Sequence, residues 1–215
     1  MGCESIRSAV STVEKYDRLA EGFAEREYAD PSGYAARRAA LVVGLGPRLT
    51  PGDTVLDFCC ADGIMAAPLR ARRLRYLGVD ASEKMLQAAR RREPDATFVQ
   101  GEMDRYVPEE PVDATIWLRS VHLAGDRRAF FRRVRSFTKT KFVFDFGPST
   151  FSEAALAADL RAAGFSRVQM QPFLTPAKHR VPAAVRPVIA AVEHTGPLGM
   201  LAARHVGRVF ACATP

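Results

Sequence analysis

The sequence predicts an α/β protein with a mostly parallel sheet of seven strands and helices on both faces of that sheet. Two observations predict it. Short apolar runs alternate with helical patterns along most of the 215 residues, and the strand ends carry acidic, polar or small residues. Alternation of this kind implies parallel strands that are joined by helical crossovers.

The first predicted strand, Thr54–Phe58, leads into the most informative part of the chain. The run ends on Asp57 and passes through small residues to Gly63, as a strand does when it enters a tight turn against a ligand. A dinucleotide-binding turn would have three glycines, and Asp57 would repel a pyrophosphate. A carboxylate there suits an ammonium or a sulfonium. An ordinary turn whose acid only holds the loop remains the alternative.

The second predicted strand, Tyr76–Val79, ends on Asp80, about twenty residues past the turn, where an α/β fold places its ribose-binding carboxylate. Ser82 is the predicted N-cap of a helix that runs through Arg92 and stops before Pro94. The remaining predicted strands are Thr97–Val99, Thr115–Leu118, Lys141–Phe144, Arg167–Phe173 and Arg208–Ala213.

Helices are also expected before the first strand and between the last two. Tyr16, Leu19 and Phe23 recur at helical spacing, and a second periodic stretch from Tyr34 to Leu45 ends at Gly46 and Pro47. The segment from Leu174 to Val206 is helical in pattern, with breaks at Pro182, Pro187 and Pro197. In the last strand, Phe210 and Cys212 share one face and Val209, Ala211 and Ala213 the other, which suits burial on both sides and puts Arg208 at the exposed end.

The order of these motifs resembles the class I S-adenosylmethionine (SAM) dependent methyltransferases. The segment after the fourth strand, with His122 followed by Leu123, resembles their small-molecule branch, in which a His-Leu pair is common at this place. Their first motif reads apolar-apolar-Asp-x-Gly-Cys-Gly-x-Gly. Asp57, Cys60 and Gly63 fit it, whereas Cys59 and Ala61 stand where glycines are usual. The resemblance covers roughly residues 16–173. It implies a Rossmann-like fold whose last two strands form an antiparallel hairpin, so that the insertion between them would be a cap over the substrate end.

The resemblance also implies the site. Asp57 and the turn through Gly63 would face the methionine part of SAM, and Asp80 its ribose hydroxyls. Met85 and Met103 would pack near the adenine, with Glu102 close to its amino group. Either of these two methionine residues is also explained as plain core. Tyr16 is the first choice among the N-terminal aromatic residues for closing over the cofactor. The implied cofactor-binding residues are Tyr16, Asp57, Cys59, Ala61, Gly63, Asp80, Ala81, Met85, Gly101, Glu102, Met103, Leu118, Arg119 and Ser120.

Methyl transfer from a sulfonium is an in-line displacement, so the protein mainly aligns the two reactants and excludes water. A base is needed only when the acceptor must lose a proton, and it is expected near the ends of the fourth and fifth strands. His122 is the first candidate and Asp145 the second. A histidine that only bonds the backbone is the competing interpretation of His122.

Composition indicates one domain, with N-terminal helices in residues 1–50, a SAM-binding core in 51–173, a cap in 174–206 and the last strand in 207–215. The four cysteines, Cys3, Cys59, Cys60 and Cys212, lack metal-ligand spacing, so no metal is expected. The chain shows neither a signal-peptide core nor an apolar run of membrane-spanning length, which favours the cytoplasm and free thiols.

The net charge of +7 raises nucleic acid as a partner, because arginines cluster in residues 70–75, 90–92 and 127–135. Solvated helix faces explain these clusters better than a phosphate-binding stripe, so nucleic acid is not the expected partner. The sequence thus predicts methyl transfer from SAM to a small-molecule acceptor such as a natural product. An RNA or protein methyltransferase, and a SAM-fold binding protein without transfer activity, remain as alternatives.

Overall fold

The computed structural model describes residues 12–215, so Cys3 and the first part of the predicted N-terminal region lie outside the described residues. One sheet has the strand order β3-β2-β1-β4-β5-β7-β6. Its strands are β1 Thr54–Phe58, β2 Arg75–Asp80, β3 Thr97–Gln100, β4 Val112–Trp117, β5 Thr138–Phe146, β6 Arg167–Phe173 and β7 Arg208–Thr214. Strands β1 to β5 are parallel, and β7 is antiparallel to both β5 and β6. The Rossmann-like fold and the terminal hairpin are confirmed.

Nine α-helices and one 3-10 helix, Val121–Leu123, lie among the described residues, and the helices cover both faces of the sheet. The α-helices are named in chain order. They are α1 residues 12–19, α2 Phe23–Glu27, α3 Pro31–Gly44, α4 Ala66–Arg70, α5 Glu83–Arg92, α6 Arg127–Phe137, α7 Glu153–Ala162, α8 Arg186–Glu193 and α9 Pro197–Val206. The predicted N-cap of α5 is confirmed, since the Ser82 hydroxyl accepts the Met85 N–H at 3.1 Å. Asp30 begins α3 in the same way, by accepting the Gly33 N–H, with Pro31 in the first turn.

Strands β4 and β5 begin earlier than the sequence pattern predicts. Their first halves carry polar residues that hide the apolar signal, but the hydroxyl oxygens of Thr115 and Thr138 lie 2.7 Å apart and both residues are buried. This pair satisfies the buried polar groups, so the strands extend.

Each face of the sheet has its own core, and β7 is shared as predicted. Phe210 and Cys212 pack on one side, and Val209, Ala211 and Ala213 on the other. Arg208 departs from the prediction, because its guanidinium is only partly exposed and pairs with Asp145. A carboxylate at the end of β5 therefore keeps Arg208 at the sheet edge.

Aromatic residues fill the second core. Trp117 of β4 lies with its ring centroid 4.4 Å from that of Phe130 in α6, and Phe142 and Phe144 of β5 stack at 5.1 Å. Such pairs add directional stabilisation to a large buried area. They hold α6 against β4 and β5 and so fix the strand ends where the predicted site lies.

Lys141 fixes the direction of α3. This buried side chain donates hydrogen bonds to the carbonyl oxygens of Val43 and Leu45, at 3.0 and 2.9 Å, where α3 ends. Burial lowers the pKa of Lys141 to about 8. Because Lys141 lies toward the amino end of β5, the opposite end of α3 reaches the carboxyl edge of the parallel strands.

The insertion between β6 and β7 lies at that same edge, since Phe173 pairs with Arg208, and Val209 pairs with Phe146 at the end of β5. The insertion is less helical than its pattern predicts. Residues 174–185 form no helix, and helices begin only at Arg186 and Pro197. Pro187 and Pro197, predicted as breaks, instead occupy the first turns of α8 and α9, where a missing N–H costs nothing.

A buried carboxylate anchors this insertion. Glu193 accepts the Leu174 N–H at 2.7 Å and pairs with Arg37 of α3. We expect Glu193→Ala to lower the free energy of unfolding by about 1–3 kcal/mol, because it leaves a buried N–H and a guanidinium without an acceptor. Urea denaturation would measure the loss, and proteolysis should increase within residues 174–206.

Glu83→Ala is the matched control, because Glu83 forms a half-exposed pair with Arg90 on α5. Its removal should change stability by less than about 0.5 kcal/mol. Equal effects of the two variants would contradict an anchoring role for Glu193.

Candidate active site

The turn between β1 and α4 adopts a left-handed backbone at three alternate residues. The φ angles are 56° at Cys59, 49° at Ala61 and 73° at Gly63. At Gly63 a side chain is also excluded, because a Cβ there would lie 2.8 Å from the ring of Phe98. The turn therefore keeps a glycine-type backbone even at the two residues that are not glycine.

Asp80 holds this turn from the end of β2. One carboxylate oxygen accepts the Ala61 N–H and the other the Ser82 N–H, both at 2.9 Å. Burial raises the pKa of Asp80, and the two backbone N–H groups oppose that rise. Ser82 in turn donates its hydroxyl to Asp17 of α1, which ties the N-terminal helix to the same corner.

Asp57 lies beneath the turn and is 3% exposed. The Tyr76 hydroxyl donates to its carboxylate at 2.7 Å. Burial raises the pKa of Asp57 to about 7, although the bond from Tyr76 and the charge of Arg38 oppose the rise. A cationic group brought close to Asp57 would favour its ionised form.

The residues predicted to lie near the adenine follow β2 and β3, with Met85 in α5 and both Glu102 and Met103 just after β3. The Cys59 sulfur lies 3.6 Å from the Met103 sulfur, and the Gly101 N–H donates to the Asp80 carbonyl at 2.9 Å. Met85 is fully buried, whereas the Glu102 side chain is exposed and pairs with Arg105 at 3.4 Å. Ala81, beside Asp80, accepts a hydrogen bond from Gln100 through its carbonyl.

Tyr16 of α1 closes this corner from above. Its ring packs edge-on against Phe23 with centroids 6.2 Å apart. Burial raises the pKa of Tyr16, Cys59 and Asp80 act in the same direction, and the charge of Arg119 opposes them. The first-choice aromatic residue is thus brought to the predicted cofactor residues.

The segment after β4 forms the floor between this corner and the end of β5. Leu118 is buried, and its carbonyl accepts the Ser120 hydroxyl at 3.0 Å. Arg119 has a φ of 60°, and its backbone N–H donates to Asp145. Its guanidinium donates to Glu27 of α2 at 3.2 Å.

The two candidate bases are placed differently. Asp145 is fully buried, and although burial would raise its pKa, Arg208 and Arg38 hold that pKa below its usual value. His122 is exposed. Partial desolvation is the main cause that lowers its pKa, and the positive charge of Arg208 is the next. His122 is therefore the more available proton acceptor at neutral pH, and Asp145 is occupied by cations.

Arg38 was not among the sequence candidates. It is buried on α3, with a guanidinium nitrogen 3.8 Å from Asp145 and another 3.5 Å from the Tyr28 hydroxyl. The sequence does indicate that Arg38 is buried, because Arg38 follows Tyr34 by four residues and so occupies a core-facing position of the helical periodic pattern.

A cleft of about 490 Å³ opens between α3 and the cap. Tyr34 and Arg37 line one side, and Pro176, His179 and Val181 the other. The Thr175 hydroxyl at its wall is buried and has no hydrogen-bond partner within residues 12–215. The cap leaves apolar side chains exposed, among them Val185, Val188, Leu198 and Leu201.

Two negative findings apply to the described part of the chain. No helix there is long and apolar enough to cross a membrane. Among the same residues, no group of three or more His, Cys, Asp or Glu side chains is arranged to hold a metal ion.

Comparison with known proteins agrees with this geometry. Residues 55–141 match a family model described as a methyltransferase domain. An uncharacterised methyltransferase of Synechocystis sp. is 42% identical over 53 residues, which make up 25% of this chain and 25% of that protein. The match thus spans about a quarter of that relative's length.

Solved structures share the fold over nearly the whole chain. A chain of the complex between the Haloferax volcanii Trm112 methyltransferase activator and a methyltransferase has a TM-score of 0.65 at 18% identity, covering 93% of this chain and 96% of that one. The magnesium protoporphyrin IX methyltransferase of Synechocystis PCC 6803, with bound SAM, has a TM-score of 0.61 at 18% identity, covering 90% and 84%. The resemblance to class I methyltransferases is confirmed.

The left-handed turn generates a prediction about Ala61. We expect Ala61→Gly to raise the free energy of unfolding by about 0.5–1 kcal/mol, because glycine adopts this φ without the steric cost that alanine incurs. Chemical denaturation of the two proteins checks it.

Ala67→Gly in α4 is the control, because Ala67 is exposed and helical. The same change should destabilise there, by about 0.5–1 kcal/mol. If both variants lose stability alike, Ala61 does not have a left-handed backbone in solution.

Proposed function

We propose that this chain, whose central part is a methyltransferase domain, transfers a methyl group from SAM to a small-molecule acceptor. The observation that carries the proposal is the turn at residues 59–63. It keeps a left-handed backbone at all three glycine positions of the motif although two of them hold Cys59 and Ala61. A left-handed backbone at a residue other than glycine costs free energy. Its retention at the carboxyl edge of the parallel strands favours a ligand-binding role for the turn over a role as a connecting loop alone.

The surrounding groups fit a SAM molecule chemically. Asp80 uses one lone pair on each oxygen for a backbone N–H, so each oxygen can still accept a ribose hydroxyl. Asp57 offers a carboxylate that a nearby positive charge would ionise, and Tyr16 covers the corner. When bound, SAM supplies a methyl group already activated on a sulfonium. The residues of this chain then bind the two reactants, orient them and exclude water.

Two observations support a small acceptor. The cleft between α3 and the cap has the volume of a small-molecule site. Several arginines of the basic clusters are paired with carboxylates, including Arg70 with Glu93, Arg92 with Asp62, and both Arg127 and Arg128 with Asp159. Guanidinium groups neutralised in this way offer little to a phosphate backbone. His122 is the proposed base for a methyl acceptor that must lose a proton.

The free thiols of Cys59, Cys60 and Cys212 are compatible with a cytoplasmic location.

Calorimetry with SAM, S-adenosylhomocysteine and NADH tests the proposal. We expect binding of the first two and none of NADH, because Asp57 and the single glycine of the turn disfavour a pyrophosphate. Release of S-adenosylhomocysteine in the presence of metabolite fractions would then detect transfer. Binding of NADH without any SAM heat would overturn the cofactor assignment.

Asp80→Ala tests the ribose contact. We expect SAM affinity to fall by about 1.5–3 kcal/mol, since charge-assisted hydrogen bonds to the ribose are lost. Asp113→Ala is the control, because Asp113 also accepts a backbone N–H, that of Thr54 at 2.8 Å, but at the amino end of β1. An unchanged affinity in a folded Asp80 variant, or an equal loss in the control, would show that Asp80 does not bind the ribose.

A further inference from the structure

The carboxyl edge of β4 and β5 carries more positive than negative side chains. Asp145 and Glu27 are the carboxylates of this cluster. Arg38, Arg119 and Arg208 surround them, and Lys178 of the cap lies 3.4 Å from Glu27. Four cations thus share two carboxylates. We call these six side chains the arginine cluster.

Arg38 is the least satisfied member of the cluster. It is 3% exposed, yet its Nε and Nη2 atoms have no hydrogen-bond partner among residues 12–215. The separation of 3.8 Å from Asp145 is an ion pair without a hydrogen bond. A buried donor that has lost its water without gaining a hydrogen-bond acceptor costs free energy. A bound ligand with hydrogen-bond-accepting oxygen atoms would therefore be stabilised by these donors.

Aromatic rings flank the cluster. The Arg119 guanidinium lies 5.3 Å from the ring of Tyr28, and that of Arg38 lies 5.5 Å from the ring of Tyr34. These two rings stack with centroids 4.6 Å apart. Tyr34 also lines the cleft below the cap, so one ring borders both the cleft and Arg38.

We propose that the methyl acceptor is an organic anion whose carboxylate or phosphate group binds at the arginine cluster, with Arg38 as a principal donor. Planar guanidinium groups hold such anions through paired hydrogen bonds. Partly exposed Arg119 and Arg208 form the outer part of the site, and Arg38 its inner wall. His122 follows Arg119 by three residues along the chain, so the candidate base lies after the same strand as that member of the cluster. This inference rests on the proposed function, which supplies the methyl donor.

Calorimetry with three probes tests the inference. Benzoate, phenyl phosphate and the neutral benzamide are titrated into the protein, with and without saturating S-adenosylhomocysteine. We expect at least one of the two anions to bind about tenfold or more tightly than benzamide, and their order distinguishes a carboxylate from a phosphate site. Equal binding of anions and benzamide, or no binding of any probe, would overturn the proposal.

Arg38→Met removes the guanidinium and keeps a long apolar side chain. We expect about tenfold or greater loss of anion affinity, with S-adenosylhomocysteine affinity almost unchanged. Arg135→Met is the control, because Arg135 bonds the Gly164 carbonyl near the start of β5, at the opposite edge of the sheet. If Arg38→Met fails to fold, Arg38→Lys keeps the charge without the planar fork and should still lose several-fold.

The remaining outcomes also decide the matter. A loss of S-adenosylhomocysteine affinity with unchanged benzoate binding would assign the cluster to the carboxylate of the methyl donor and overturn the acceptor site. If S-adenosylhomocysteine does not bind the unaltered protein, the proposed function fails. The benzoate titration without it still tests the anion site separately.

Discussion

The buried carboxylate of Asp145 is the interaction on which the ligand edge of the sheet depends. It accepts the backbone N–H of Arg119 after β4, pairs with Arg208 at the start of β7, and lies beside Arg38 of α3. An isolated buried carboxylate would cost several kcal/mol, so these cations must be in place for β5 to end as it does. Because α3 and β7 come from opposite ends of the chain, the floor of the site forms only when both have docked. The site is therefore a product of the whole fold and not of its central motif alone.

The turn at residues 59–63 shows how a motif can lose glycines and keep its shape. Left-handed backbone at Cys59 and Ala61 costs roughly 1 kcal/mol or more at each residue. The Asp80 carboxylate offsets part of that cost by accepting the Ala61 N–H, and the Cys59 sulfur contacts the Met103 sulfur. The same carboxylate thus maintains the turn and remains able to accept a ligand hydroxyl. A substitution of Asp80 should be interpreted with both roles in mind.

The fold and the cofactor corner were predictable because their signals are local. A short apolar run that ends on Asp57 or Asp80, and a serine cap at Ser82, are visible within a few residues. The cap helices were harder, since Pro187 in a first turn looks the same in sequence as a proline that breaks a helix. Arg38 and Arg208 could not be paired in advance, because their shared partner Asp145 is distant in sequence. The sheet register brings Arg208 to Asp145, and the docking of α3 brings Arg38 there. Long-range charge pairing leaves no periodic signal.

The contact between the cap and the N-terminal helices differs from the rest of the molecule. Lys178 and Arg180 of the cap donate to backbone carbonyls at the end of α2 and just before α3, and Arg186 lies 3.8 Å from Asp30. These side chains are exposed, and exposed polar contacts contribute little net stability. By contrast, Ala203 of α9 packs in the core against the sheet, which keeps that part of the cap in place. The residues around 178–186 can therefore separate from α2 and α3 at lower cost than α9 can leave the sheet. Arg186 and Asp30 of this contact also line the cleft that Tyr34 lines.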